Sequence, residues 1–397
     1  MRPGNMAVAP APRLPGGLIR ALARPLRSLL LALCCTGLWA PVATAQDYQF
    51  RPAAPVRDAA DKLLTDITRA GDRLVAVGER GLVILSDDDG QSWQQATVPV
   101  SATLTAVDFA TDQLGWAVGH AGTILHSMDG GATWTLQFDG NEANRQWLGH
   151  ATEQRKALEA QVEALQQAGD PEGMLADLEY DLEDAQFNEE DAQAAIETGP
   201  ADPMLDVLFT SPSEGWAVGA YGMVYRTRNG GENWQLAAAS IDNPDRYHFY
   251  AIAADQQGNL FLSGEAGLLY HSHDGGESWT RNDDVYIGSL FGVAVQGESI
   301  YTFGLRGNIF RSDDRGVTWN AVPNPTEFSL YGGKTLRDGR LLLVGAGGGV
   351  ITFDREGRMS SSIQASRATL SSLVQTSNGK TLLVGMAGVE LEEGPSG

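Results

Sequence analysis

Along most of the chain the hydrophobic residues come in short runs. They either alternate with polar residues or cluster as β-branched and aromatic stretches, and glycine, aspartate and asparagine break them up. Successive side chains on a strand face opposite sides, so this is the pattern of β-strands joined by tight turns. The segment from Gly115 to Gln137 shows the unit. Trp116-Ala117-Val118 reads as a short strand, His120-Ala121-Gly122 as a turn, and Thr123 to His126 as a second strand. Ser127 to Trp134 then forms a hairpin turn into a third strand, and Leu104 to Phe109 ahead of the unit makes four.

One stretch, 141–199, breaks the pattern. β-Branched residues nearly vanish, and Ala, Glu, Gln and Leu dominate. Ala151, Leu158, Val162 and Leu165 fall on one helical face, while Leu175, Leu178, Leu182, Ala185, Ala192 and Ile196 fall on another. Between them Gly169-Asp170-Pro171-Glu172 supplies a stop, an N-cap and a proline suited to a first helical position. The spacing predicts an antiparallel helical hairpin.

The strand unit recurs. A Gly-x-x-Gly turn begins at Gly78, Gly119, Gly219, Gly264, Gly304, Gly345 and Gly385, at spacings of 41, 100, 45, 40, 41 and 40 residues. A period of roughly 40–45 residues is that of a four-stranded propeller blade, and the one long interval contains the helical stretch. The hairpin turn carries its own motif, Ser-x-Asp-x-Gly-x-x-Trp, around Asp88/Trp93, Asp129/Trp134, Asp274/Trp279 and Asp314/Trp319, with a softened copy at Asn229/Trp234. In such an Asp-box, short oxygen-bearing side chains bond the turn's own backbone and the tryptophan ring is free to pack between sheets. One carboxylate per repeat does not assemble a metal cluster, so these residues read as structural and no metal or cofactor is expected.

The sixth repeat keeps only Phe353-Asp354 to Gly357 of the box, and the seventh ends too early for four strands. Either Tyr48 to Val56 or Leu63 to Ile67 is expected to supply the missing strand and close the ring. The predicted architecture is all-β: a seven-bladed β-propeller over 46–397, with the helical hairpin (141–199) inserted between the second and third blades.

Charge and the first residues add the compartment. Residues 1–45 combine a basic start, an apolar run from Leu29 to Trp39 and Ala43-Thr44-Ala45, the pattern of a secretory signal peptide cleaved after Ala45. The apolar run is short for a membrane span. A lipoprotein reading at Cys34 is disfavoured by the bulky Leu33 before it. Both cysteines, Cys34 and Cys35, lie inside this segment, so the exported, periplasmic chain has none. The full chain carries a formal charge of −22; the signal removes five arginines and no acid, leaving −27. Such a field repels nucleic acid. The hairpin alone holds 15 acidic and 3 basic residues.

The compound pattern Gly-Trp-Ala-Val-Gly-x-x-Gly, followed by the Asp-box, at Gly115 to Trp134 and again at Gly215 to Trp234, resembles the photosystem II stability/assembly factor family of sialidase-like, Asp-box (BNR-repeat) propellers. The resemblance covers about 66–388 outside the hairpin. It implies a seven-bladed propeller that holds an immature membrane-protein subunit without catalysis, and for non-photosynthetic members a periplasmic accessory role in envelope or transport machinery. The implied arginine-rich surface has no counterpart in this acidic chain, so the scaffold role carries over and the client does not.

Candidate binding residues are the large or polar positions of the Gly-x-x-Gly turns: Arg80, His120, Tyr221, Glu265 and Arg306, with Glu79 and Leu305 beside them. The expected partner is a protein client, an inner-membrane protein or an envelope transport complex, bound through the rim of these turns and the helical hairpin, which reads either as a docking arm or as a solvated decoration; membrane association is expected only through the client. His126, Arg226, His271 and Arg311, each just before a box, read as packing residues. The competing reading is a sialidase-like glycoside hydrolase, for which Phe50-Arg51-Pro52 echoes an arginine motif. The other two arginines and the tyrosine nucleophile such an enzyme needs are not identifiable.

Overall fold

The computed structural model describes residues 50–169 and 173–392; residues 1–45, read above as a signal, lie outside them. Seven antiparallel sheets follow one another along the chain, each a meander of strands paired in order. Six have four strands, and the seventh has three among the described residues. The second strand of each sheet is buried nearly throughout, as in Arg73–Gly78, Gly115–Gly119 and Thr381–Gly385. Both of its faces meet protein, which is why it reads as an unbroken apolar run. Leu74 and Ala76 pack with Val374, Leu382 and Val384 of the seventh sheet, whereas Val75 and Val77 pack with Val107, Ala117 and Leu125 of the second.

The first strands, Leu64–Ala70, Leu104–Phe109, Met204–Phe209, Phe249–Ala254, Leu290–Gln296, Leu330–Thr335 and Leu370–Gln375, touch in chain order, and the seventh touches the first. That cyclic order is the order of seven blades around an axis. The closure differs from the expectation. Leu64–Ala70 is the innermost strand of the first sheet, in the same register against its neighbour as Leu104–Phe109 one repeat later, so it is not available to the seventh. Tyr48 and Gln49 lie outside the described residues. The described remainder of that segment forms no strand and runs along the first sheet, with Ala53 N donating to Val98 O at 3.0 Å and Val56 N to Gln95 Oε1 at 2.8 Å. Side chains carry the seam instead. Ser371 Oγ donates to Leu64 O at 2.9 Å, Ser372 Oγ to Asp66 Oδ1 at 2.6 Å, and Ser377 N to Asp89 Oδ1 at 2.8 Å.

Each box tryptophan lies against the preceding sheet: Trp93 beside Leu382, Trp134 beside Val75 and Leu85, Trp279 against Trp216, Trp319 beside Phe261. In the box itself Gly90 N donates to Ser86 Oγ at 2.8 Å, and Asp88 Oδ1 accepts from Ser86 Oγ and from Ser92 N, both at 2.8 Å. Asp88 Oδ2 accepts from Ser92 Oγ at 2.5 Å, and this hydroxyl does most to hold the Asp88 carboxyl down at about 2. The sixth sheet replaces the box with an Asx turn, in which Asp354 Oδ1 accepts from Glu356 N and Arg358 N.

Two helices, α1 (Gly140–Ala168) and α2 (Leu175–Thr198), fill the long interval. Asp139 caps α1 by accepting from Glu142 N at 3.0 Å. Helix α2 starts later than the spacing predicts. Asp170, Pro171 and Glu172 lie outside the described residues, and the helix begins at Leu175, beyond Gly173 in a left-handed conformation (φ +72°). The buried face also turns by one residue near its end, where Ala192 is buried but Ile196 is exposed.

Candidate functional site

In six of the seven Gly-x-x-Gly turns the third residue takes a left-handed conformation: Arg80 (φ 54°), Ala121, Tyr221 (φ 52°), Ala266, Arg306 (φ 56°) and Gly347. Large residues reach that region only at a cost, so their presence draws attention to the rim. The conformation turns their N–H groups toward the next sheet. Tyr221 N donates to His248 Nδ1 at 2.8 Å and Arg306 N to Ser329 Oγ at 3.1 Å. The second turn residue instead ties the turn to the first strand of its own sheet: His120 N donates to Thr103 O at 2.8 Å and Glu265 N to His248 O at 2.9 Å. The turns therefore stitch sheet to sheet and leave the side chains outside. Arg80, His120, Tyr221 and Arg306 are exposed and Glu265 is half-buried.

The structure brings two of these five together. His248 lies between Tyr221, whose ring is 4.8 Å away and edge-on, and Glu265, whose Oε2 accepts from His248 N at 3.3 Å. Among the described residues no hydrogen bond, ion pair or ring contact joins Arg80, His120 or Arg306 to that group. The group instead continues through residues that the turn pattern does not contain. His248 is followed by Tyr250 at 6.2 Å, then Phe291 at 5.2 Å from Tyr250, then Tyr331 at 5.5 Å from Phe291. Tyr221 (48%) and Tyr331 (40%) are the exposed ends of this arc.

A local defect in the strands explains the arc. Tyr250, Phe291 and Tyr331 are each the second residue of a first strand, at the point where pairing slips by one residue. A bulged residue leaves the ladder, so its side chain is re-aimed. The equivalent residues of the seventh, first and second sheets are Ser371, Thr65 and Thr105. Their hydroxyls donate to the next sheet's Leu64 O, Leu104 O and Met204 O at 2.9, 2.7 and 2.8 Å. One side of the ring is thus sealed by small hydroxyls, and the other carries three aromatic rings.

Deeper along the first strands, acidic side chains act as staples. Asp66 Oδ2 accepts from Val107 N at 3.0 Å, Asp108 Oδ2 from Phe209 N at 2.7 Å, and Asp206 Oδ2 from Ile252 N at 2.9 Å. Lys334 Nζ donates to Asp66 Oδ1 at 3.0 Å. Burial, helped by the nearby Asp66 and Asp108 charges, raises the Asp206 carboxyl to about 7, and burial also raises Asp108. No group of three or more His, Cys, Asp or Glu side chains suited to a metal occurs among the described residues.

The hairpin is fixed beside the turn at His120. Gly122 N donates to Asp202 O at 2.8 Å, and a Cβ on Gly140 would lie 2.7 Å from Ala121 O. Gln146 then binds the edge of the third sheet at two points, donating to Trp234 O and accepting from Leu236 N, both at 2.9 Å. The residues before the boxes cover aromatic rings: His126 stacks on Trp116 at 4.8 Å, and Arg226 and Arg311 lie over Trp216 and Tyr301. Arg51 is exposed on the segment whose neighbours Phe50 and Ala53 pack on the core shared by the first two sheets, beside Val98.

The sequence profile of the family described as photosynthesis system II assembly factor YCF48 matches residues 85–148 and 186–381. A curated relative, the photosystem II assembly lipoprotein Ycf48 of Synechococcus sp. (strain CC9902), is 36% identical over 121 residues; the match spans 30% of this chain and 36% of that relative's length. Among solved structures, YCF48 bound to D1 peptide superposes with a TM-score of 0.56 at 14% identity, over 86% of this chain and 98% of that one. YCF48 from Cyanidioschyzon merolae gives 0.55 at 15% identity, over 85% and 97%. The WD40 β-propeller domain of Doa1 gives 0.55 at 10% identity, over 88% and 97%. At these identities the structural likeness speaks for the fold.

Proposed function

The chain belongs to the photosynthesis system II assembly factor YCF48 family, and on that premise we propose that it is a non-catalytic, exported factor that holds a segment of a membrane-protein client while the client's complex is assembled. The client in this reading is an inner-membrane protein or a component of an envelope transport complex, met on the periplasmic side. The observation that carries the reading is the arc from Tyr221 through His248, Tyr250 and Phe291 to Tyr331. Aromatic side chains combine large apolar area with little entropy to lose, which suits them to hold a peptide or loop. A neighbour of the same fold was solved bound to a peptide, which supports the same use of the scaffold here. The signal-like residues 1–45 and the strongly acidic charge support export and argue against nucleic acid as partner.

A photo-crosslinking side chain placed at Tyr331 in cells tests the reading, with the same group at Met128, in an Asp-box turn, as the reference. Tyr331 is expected to capture a membrane protein, and Phe291→Ala is expected to reduce the yield. Equal capture from both positions, or none from Tyr331, would sink it.

A further inference from the structure

Between the hairpin and the fourth sheet's approach lies a groove of about 900 Å³. Trp147, Asp181, Asp184 and Phe187 form its helical walls and Ile241 part of its opposite side. Arg246 is held at its base, 4.4 Å over the Trp147 ring and donating from Nε to Tyr221 O at 3.5 Å. Helix α2 bears nine acidic residues and no Lys, Arg or His. The hairpin's own cations are taken: Arg145 by Glu142, Arg155 by Glu159 and Glu189, Lys156 by Glu153. Asp181 and Asp184 meet no cation within ion-pair distance among the described residues. On the same helix Tyr180 and Phe187 are exposed (65% and 64%) despite being large and aromatic. Tyr180, Asp184 and Phe187 stand at i, i+4 and i+7, so aromatic and acid alternate along one stripe leading into the groove.

We propose that this stripe and groove receive a basic, amphipathic helical segment of a protein partner, its apolar face against Phe187 and Trp147 and its lysines or arginines against Asp181 and Asp184. Charge selects the occupant. An anionic lipid surface, a nucleic acid or a second copy of this chain, itself at −22, would bring like charge to α2. A helix laid in a groove offers side chains at the spacing the stripe presents. The inference deepens the client-binding reading and rests on it for the source of the segment, but it concerns a different surface from the aromatic arc.

The probe is a fluorescein-labelled Lys/Leu peptide of about four helical turns, amphipathic when helical, with the same peptide carrying Ser in place of Leu as its charge-matched counterpart. Fluorescence anisotropy is read at low and high salt. The chain is expected to bind the Lys/Leu peptide and to bind the Lys/Ser peptide far more weakly. Phe187→Ala is expected to weaken binding by roughly tenfold or more, the size of one lost aromatic anchor. Asp181→Asn with Asp184→Asn is expected to weaken it and flatten its salt dependence. Removing the same charge elsewhere, by Asp283→Asn with Asp284→Asn, is expected to leave it unchanged. The proposal is overturned if both peptides bind alike, if Phe187→Ala has no effect, or if the two acid pairs act equally. Each variant is compared at a melting temperature shown equal to the unaltered chain. Crosslinking from Tyr331 is read independently, so failure here and failure of the client reading are distinguishable.

Discussion

Replacing Asp206 by Asn should change the pH dependence of stability more than stability itself. The Asp206 carboxyl ionises at about 7 in the folded chain, from an ordinary value of 3.8, because protein encloses it and the Asp66 and Asp108 charges lie near. A raised carboxyl means that the folded state holds the proton more tightly than the unfolded one. The contribution is therefore fully present below about pH 4, lost as pH rises toward 7, and constant above. At about 1.4 kcal/mol for each pH unit that separates the folded from the unfolded value, the loss across that window is roughly 4 kcal/mol if Asp206 titrates alone, and less once its coupling to Asp66 and Asp108 spreads it.

Asparagine carries no charge at any of these pH values. However, Asp206 uses one oxygen for Val207 N and the other for Ile252 N, at 2.9 Å each, and the amide can accept from only one of them. The unpaired N–H costs about 1–3 kcal/mol at every pH. The variant should thus be less stable than the unaltered chain near pH 4.5 and equal or more stable near pH 8.5. Urea unfolding at constant ionic strength across that range measures the difference between the two, which cancels the titration of all other carboxylates. A difference that stays flat with pH would refute the reasoning.

Three further outcomes follow from the geometry. Gln146→Ala removes both hydrogen bonds that tie α1 to the third sheet's edge, so amide exchange should rise across the hairpin by the equivalent of about 1–3 kcal/mol while the sheets keep their protection. Gly267→Ala should destabilise the chain by at least ~1–3 kcal/mol, since Gly267 has φ +79° and the new Cβ would meet Tyr286 O; a melting temperature unchanged by this substitution would contradict the turn geometry. Purified protein should hydrolyse no aryl sialoside or aryl glycoside, and a measured activity abolished by Arg51→Ala would overturn the non-catalytic reading.

The number of sheets was legible because their turns leave no latitude. A Cβ on Gly78, Gly119 or Gly385 would lie 2.1–2.3 Å from a backbone oxygen of the strand beside it, so glycine recurs wherever that approach is made. The boxes were legible for a similar local reason, yet their seventh position was not: Ser92, Thr133, Ser278 and Thr318 each bond the box aspartate, and serine or threonine in a turn carries no special signal. Tyr250, Phe291 and Tyr331 were missed because a one-residue slip does not disturb the alternation that marks a strand. The signal was there in the form of Phe249-Tyr250, Leu290-Phe291 and Leu330-Tyr331, an aromatic directly after a large apolar residue at the same position of three consecutive repeats. The helix start at Leu175 was misplaced because a proline is permitted at a first turn but does not compel one. The seam between the last and first sheets was beyond reach for another reason: it consists of side-chain bonds between residues some 300 positions apart, such as Ser371 and Leu64.

The two ends of the hairpin stand close together: a Cβ on Gly140 would lie 2.5 Å from the Cβ of Pro200. The polypeptide leaves and re-enters the ring through what is in effect a single doorway, so the sheets on either side do not register how much chain lies beyond it. Because the entropic cost of a surface excursion grows only slowly with its length, that doorway can admit a longer arm, a shorter one or an arm of opposite charge. The arm can therefore be exchanged as a cassette, at one site, while the ring that presents it is left alone.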